Sequence, residues 1–365
     1  MKGQLVKEVE EDKYLGIQQQ KRKEWNRYVN KIVQKGNSTI GDMTVIGIHQ
    51  HGIRPSTAMR IVTTILRPQL EYGNQLLLLT KGQWNALESV MIKAGKNILG
   101  VPPNTSNDCV RAELGWATME ERAEVAKMKF LHRLRTLPNN RLVKKLFIIR
   151  MRQAKEQVRK KREVKSWCHE LRRIMNIEEE WTEIVDESRN VAEWKWWKNS
   201  SNGISIKEKV EEKQRENMRR SIEEKKKGEY YMKCKKRWEE EEYLNENGSK
   251  EGRIWKTKMR MSAAPLKAIK VMEHQAVSDM CMLCEDGAVE DQQHFMLYCG
   301  AYDEEREAMY QEIMERIGEE EWYEMRWGNA NQGLDTVLLS EPRIDSCVRS
   351  YLDSAWRIRK LRFGV

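Results

Sequence analysis

Three cysteines and a histidine fall within the stretch CMLCEDGAVEDQQHFMLYC, Cys281 to Cys299. The spacing is C-x2-C, nine residues, His294, four residues, Cys299. Thiolate sulfur and imidazole nitrogen are the donors that a tetrahedral zinc ion prefers. A two-residue gap turns Cys281 and Cys284 back onto one ion, and Gly287 allows the chain to reverse between the halves. VEDQQHFMLYC then reads as a short helix that brings His294 and Cys299 to the same point. Four protein ligands leave no open coordination position, so Cys281, Cys284, His294 and Cys299 are expected to hold a structural zinc rather than a catalytic one. A Cys281–Cys284 disulfide is disfavoured, because the chain opens without a signal peptide and seven cysteines in 365 residues make no disulfide framework.

The other candidates for chemistry are weaker. His49 and His51 in IHQHG have no neighbouring carboxylate or cysteine in sequence and read as polar loop residues. Cys168 and His169 are adjacent on an expected helix, so their side chains point to different faces. Cys109, Cys234 and Cys347 stand alone and read as packing or surface residues. No Asp-Asp pair occurs anywhere, which removes the adjacent carboxylates of two-metal phosphoryl transfer. Neither phosphate-binding glycine loop is present, nor a G-x-S-x-G or H-E-x-x-H motif.

The elements that must position the cysteines are mostly helical. Charged residues make up 33% and hydrophobic ones 39%, with only seven prolines, so a core forms in places rather than along the whole length. No apolar run approaches the roughly 20 residues of a membrane span. The formal charge of +10 favours polyanionic partners. KYLGIQ reads as a short strand with a tight turn at Gly16, and residues 21–35 as a helix with Trp25, Tyr28, Val29 and Ile32 on one face. Ser56 is placed to cap a helix to about Leu66 that Pro68 disturbs. GQWNALESVMIKAGKNILG is an amphipathic helix striped by Trp84, Leu87, Met91, Ala94 and Ile98 and stopped by Gly100. TSNDCVRAELG is a short helix. Thr118 and Glu121 form a capping box for the helix that ends before Pro138.

Beyond Pro138 the character changes. Residues 141–165 carry eleven basic and two acidic side chains. Lys144, Lys145, Arg150, Arg152, Arg159, Lys160, Lys161 and Arg162 read as a helix face that tracks phosphates, since lysine and arginine gain affinity by releasing counterions. The bland alternative is a solvated helix. Trp194, Trp196 and Trp197, interleaved with lysines, offer base stacking or, more commonly, packing anchors. Ser205 to about Asn247 reads as one long charged helix started by Ser205 and Glu208. Residues 300–330 hold ten acidic and three basic residues, and the last helix turns basic at its end.

The order of several landmarks resembles the part of a non-LTR (LINE-type) retrotransposon reverse transcriptase that follows the catalytic palm. DKYLGIQ stands where that family has its primer-grip hairpin. ILRPQLEYGNQL, then ILG and ELGW, follow as landmarks of a helical thumb. After a charged linker comes a zinc knuckle of the form CxxC…E…HF…C…R, matched here by Cys281, Cys284, Glu290, His294, Phe295, Cys299 and Arg306. The match covers nearly the whole chain and is patchy from about Asn140 to Lys250. It departs from the family in lacking the aromatic-x-Asp-Asp box, and the EPRID tail lacks the core of a restriction-like endonuclease.

The expectation is therefore a mainly α chain: a thumb-like helical bundle with a short N-terminal β-hairpin, long charged helices and a small zinc knuckle. Its domains would be 1–140 (primer grip and thumb), 141–260 (charged linker) and 261–365 (knuckle). The resemblance implies an intracellular protein, in nucleus or cytoplasm, that binds RNA or DNA mostly through phosphates. The rest of a retroelement polymerase is a further expected partner. No catalysis of its own, no membrane and no small-molecule substrate are expected. The knuckle would present nearby basic and aromatic residues to single strands. The alternative is a structural or protein-interaction module, or a decayed element product.

Overall fold

A computed structural model of the chain describes residues 10–20, 25–49, 51–160, 166–175, 206–328 and 333–363. The fold is mainly α: among the described residues there are sixteen α-helices and one two-stranded hairpin. The chain divides into two compact units, each assembled from separated segments. Residues 1–38, 65–90 and 117–216 make the first; residues 39–64, 91–116 and 217–365 make the second. The division does not fall at 140 or 260, because helices on either side of those positions share cores.

In the first unit, β1 (Glu11–Tyr14) pairs antiparallel with β2 (Ile17–Gln20), with Tyr14 opposite Ile17. The two turn residues, Leu15 and Gly16, both have positive φ, 48° and 84°. That mirror-image turn matches the right-handed twist of a hairpin, and glycine tolerates it without strain. Tyr72 donates its hydroxyl to the Leu15 carbonyl at 2.6 Å, and Tyr28 donates to the Tyr72 carbonyl at 2.9 Å. The first half of α1 (Asn26–Val45) buries Tyr28 and Val29 as expected. The helix continues through Gly36, where a Cβ would meet Val90 at 2.9 Å and Leu70 at 3.1 Å. Glycine there is a site of close packing rather than a stop.

The rest of this unit includes a cluster of α6 (Met119–Thr136), α7 (Leu142–Arg159) and α8 (Trp167–Met175). The Thr118–Glu121 capping box forms in full at the start of α6. Met128, Leu131 and Leu134 of α6 pack with Phe147, Met151 and Ala154 of α7 and Cys168, Leu171 and Ile174 of α8. The spacing of the α7 residues, i, i+4 and i+7, explains why a segment this basic still carries a core face. Helices α7 and α8 thus belong to a packed unit rather than to a linker.

Helix α2 (Pro55–Ile61), in the second unit, begins on Pro55, not on Ser56. A five-residue π turn, Val62–Leu66, precedes α3 (Arg67–Glu71), whose residues belong to the first unit. Pro68 has no N–H for the usual bond and would press on the carbonyl four residues back, so the turn ahead of it widens. The stripe expected on α4 (Lys81–Leu99), whose residues are divided between the two units at Val90, is buried at Trp84, Leu87, Met91, Ala94 and Ile98. Helix α5 (Asn107–Leu114) ends on Gly115 in the left-handed conformation. The single long helix expected from Ser205 to Asn247 is not formed. Helix α9 (Ile206–Glu223) ends, the chain reverses, and α10 (Gly228–Cys234) begins. A Cβ on Gly228 would stand 1.9 Å from the Ile222 carbonyl oxygen, so the reversal needs glycine.

The core of this unit is built on α11 (Lys250–Arg260) and α16 (Asp345–Phe363), with α12 (Lys267–Met272), α13 (Asp303–Ile317), α14 (Glu319–Trp327) and α15 (Leu334–Ser340) around them. Trp255 of α11 stacks on Trp356 of α16 with centroids 3.7 Å apart. The helices touch at Gly252, where a Cβ would lie 2.0 Å from the Arg349 carbonyl oxygen. Gly252→Ala should therefore destabilise this unit by about 1–3 kcal/mol through overpacking. Thermal unfolding of the variant checks this; an unchanged Tm would mean the helices are not held at that distance.

Candidate metal centre

Cys281 and Cys284 sit on a small hairpin. Met280 bridges Val289 in antiparallel fashion, Cys281 N–H donates to the Ala288 carbonyl at 2.8 Å, and Gly287 makes the turn with φ +60°. The second half is shorter than the helix read from sequence: His294–Tyr298 is one π turn, started by Asp291, whose carboxylate accepts from His294 N–H at 2.7 Å. Cys299 follows directly.

The four expected ligands converge. Their donor atoms all lie within 4.8 Å of one another. Cys281 Sγ is 3.9 Å from Cys299 Sγ, and Cys284 Sγ is 3.4 Å from His294 Nε2. A tetrahedral ion with sulfur about 2.3 Å and nitrogen about 2.0 Å away has ligand–ligand edges of roughly 3.5–3.8 Å. The donor set and its spacing thus fit one tetrahedral metal ion, with no edge left for substrate. All the cysteines in the described residues are free thiols, these included. Backbone N–H groups point at the sulfurs: Leu283 at Cys281 (3.4 Å), Asp286 at Cys284 and Ala301 at Cys299. Such bonds favour the thiolate. Without a cation, burial and the neighbouring thiols push Cys299 up to about 12, and burial also raises Cys284.

The other motif positions hold the centre in the helical core. Glu290 is buried and forms a bidentate pair with Arg359 of α16, while its second oxygen accepts from Lys267 N–H at 2.9 Å. Arg306 of α13 donates to the Met296 and Cys299 carbonyls at 3.1 and 2.7 Å. Phe295 packs between Tyr302 and Trp356, and Tyr351 donates to its carbonyl at 2.6 Å. Arg362 donates to the Leu283 carbonyl at 3.2 Å. The roles of Tyr351, Arg359 and Arg362 were not read from sequence; only the basic end of the last helix hinted at them.

The surface of the centre differs from expectation. No lysine or arginine occurs from residue 271 to 305, which carries nine carboxylates. Its exposed side chains include Met280, Met282, Val289 and Tyr298 beside Glu285 and Asp286. An exposed cation that touches the centre, Arg362, comes from α16.

The basic face on α7 is divided. Lys145, Arg150 and Arg152 are exposed, as is Lys160 just beyond the helix. Lys144 turns inward instead, 9% exposed, and donates to the Arg135 carbonyl at 2.5 Å, so its ammonium is taken up in closing the α6–α7 corner. The Arg159 side chain, Lys161 and Arg162 lie outside the described residues, as do Trp194, Trp196, Trp197 and Ser205. A second basic locus was missed. A cleft of about 480 Å³ between the hairpin and α1 is lined by Lys13, Lys31 and Lys35 with Tyr28, Gln69 and Tyr72. The i, i+4 spacing of Lys31 and Lys35 signals one helix face; that a hairpin lysine joins them is a tertiary fact. Of the remaining candidates, His51 pairs with Glu251 at 2.8 Å, His169 bonds Ser166, and Cys109, Cys168, Cys234 and Cys347 are buried.

No protein-family model matches the chain, and no curated protein or solved structure is significantly similar to it. No described helix is long and apolar enough to cross a membrane.

Proposed function

We propose that this chain is a nucleic-acid-binding segment of the non-LTR reverse transcriptase kind, with zinc in the Cys281, Cys284, His294, Cys299 centre. The observation that carries the binding reading is the cleft of Lys13, Lys31 and Lys35. Three ammonium groups around one concavity, with Tyr72 half-exposed at its edge, suit a phosphate backbone and a flanking base or sugar. The donor set of the metal centre suits zinc, and its closed coordination suits a structural ion that organises the C-terminal core. With no Asp-Asp pair in the sequence, any polymerase chemistry would have to come from a palm that bears those carboxylates. The landmarks shared with the family remain the ground for its name.

The test is a titration of labelled single-stranded RNA, and of an RNA–DNA duplex, at two salt concentrations. Each phosphate contact contributes about 0.7–0.9 to the slope of log affinity against log salt, so Lys31→Glu with Lys35→Glu should lower that slope by about 1.5. Binding that ignores both salt and this pair would sink the reading. The acidic, apolar surface of the metal centre favours one further possibility, a protein contact there. Zinc with no nucleic-acid affinity would support that second reading.

A further inference from the structure

We propose that the outer face of α7, with the groove beside it, is a docking site for an acidic amphipathic helix of a partner protein. The proposal stands apart from the nucleic-acid reading, which rests on α1 and the hairpin. Leu142, Val143, Leu146 and Ile149 are 69, 53, 51 and 49% exposed. Four large apolar side chains in water on two turns of one helix are more than the scattered exposure of an ordinary surface. They follow the spacing of a helix stripe, and the opposite face of α7 is already occupied by the core through Phe147, Met151 and Ala154.

The stripe borders a groove of about 790 Å³. Val143 and Leu146 form one wall with Phe147, and Phe130, Trp167 and Leu76 contribute to the rest. Trp167 is fixed by its indole N–H, which donates to the Gln75 carbonyl at 2.7 Å. A groove lined by aromatic side chains beside an apolar stripe is the form that receives the i, i+3, i+4, i+7 anchors of a helix. Charge selects its kind. Lys145, Arg150 and Arg152 are exposed along α7, and Glu156 is the one carboxylate in the helix. A partner helix with glutamate or aspartate flanking its apolar stripe would pair with that rim, and a lysine-rich one would be repelled. A phosphate backbone could use the cations but gains nothing from the exposed leucines and isoleucine.

The probe is a fluorescein-labelled peptide of about 18 residues with leucine at i, i+3, i+4 and i+7 and glutamate on its other faces. Its twin carries lysine in place of glutamate. Anisotropy titration of the full chain should give saturable binding of the acidic peptide and none of the basic one. Leu146→Glu with Ile149→Glu should weaken it by about tenfold or more, as loss of central anchors does. Both residues already face water, so far-UV circular dichroism should not change. Lys145→Glu with Arg150→Glu should weaken it less, and most at low salt. Equal affinity for both peptides, or indifference to the Leu146 and Ile149 changes, would overturn the proposal. So would binding of single-stranded RNA or phosphatidylserine vesicles, lost in those same variants, with no binding of the peptide. Residues 178–187, EEEWTEIVDE, are themselves an acidic sequence with apolar Trp181 and Ile184; tighter binding in a Trp181→Ser, Ile184→Ser variant would also overturn the proposal, because that stretch of the chain would then be the occupant.

Discussion

Replacing Cys281 and Cys284 by serine should abolish metal binding by the chain and unfold the C-terminal part of its second unit. The centre is part of that unit's core: Phe295, Met296 and Cys299 are buried in the same cluster as Met309, Ile313, Tyr351 and Trp356. Little regular structure spans residues 273–302, so a bound ion would supply the order that helices supply elsewhere. Structural zinc in small domains has an apparent binding free energy of about 10–16 kcal/mol, comparable with the whole stability of a typical domain at about 5–15 kcal/mol. Elemental analysis should read one zinc per wild-type chain and none in the double variant. Hydrogen exchange should accelerate in residues 261–363 while amides of α6, α7 and α8 keep their protection. Metal affinity should also rise with pH. Cys299 sits near 12 and Cys284 is raised in the metal-free chain, so both must lose protons on binding, and a pH-sensitive dye in weak buffer should record their release. Zinc retained by the double variant would disprove the ligand assignment, whatever became of the fold.

The convergence of the four candidate ligands was legible in the sequence because each half of the set is local: two cysteines on one turn, a histidine and a cysteine five residues apart. The α6 capping box and the α4 stripe were legible for the same reason, since both are set by neighbours within a few residues. What failed to show was anything decided by a distant partner. Gly36 reads as a helix end, and only Val90 and Leu70 reveal it as a contact point. The charged stretch after Ser205 has the composition of one long helix, yet the reversal at Gly228 depends on how closely its backbone meets Ile222. Lys144 and Lys145 look alike in sequence, but one caps a carbonyl and the other faces water. Glu113 looks like an ordinary surface carboxylate of ELGW, and its partner Arg260 is 147 residues away.

That pair should be the most costly single site to break outside the metal centre. Glu113 is fully buried and accepts from Arg260 Nε at 2.8 Å, Tyr231 at 2.7 Å and Tyr243 at 2.5 Å. Arg260 goes on to the Leu339 carbonyl at 2.8 Å and to Glu241 at 2.9 Å, which Lys235 also meets. One carboxylate thus ties α5, α10 and α11 together, and its guanidinium partner reaches the end of α15. Glu113→Ala should cost about 3–5 kcal/mol, because it leaves Arg260 charged and buried without its main partner. Replacing both together, Glu113→Leu with Arg260→Met, should cost less than either single change, since no buried charge is stranded. The pH dependence has a definite sign. Burial alone pushes the Glu113 carboxyl up, but Arg260, then Lys235 and the two tyrosine hydroxyls, outweigh it and hold the group below its ordinary 4.5. A carboxyl depressed in the folded state lends stability that is complete above the unfolded value and is lost as pH falls through the folded one. Urea unfolding of the wild type should therefore weaken steeply below about pH 4.5, and Glu113→Gln should be less stable at pH 7 with a shallower acid limb. Parallel acid limbs for the two proteins would show that Glu113 is not the ionised hub of this core.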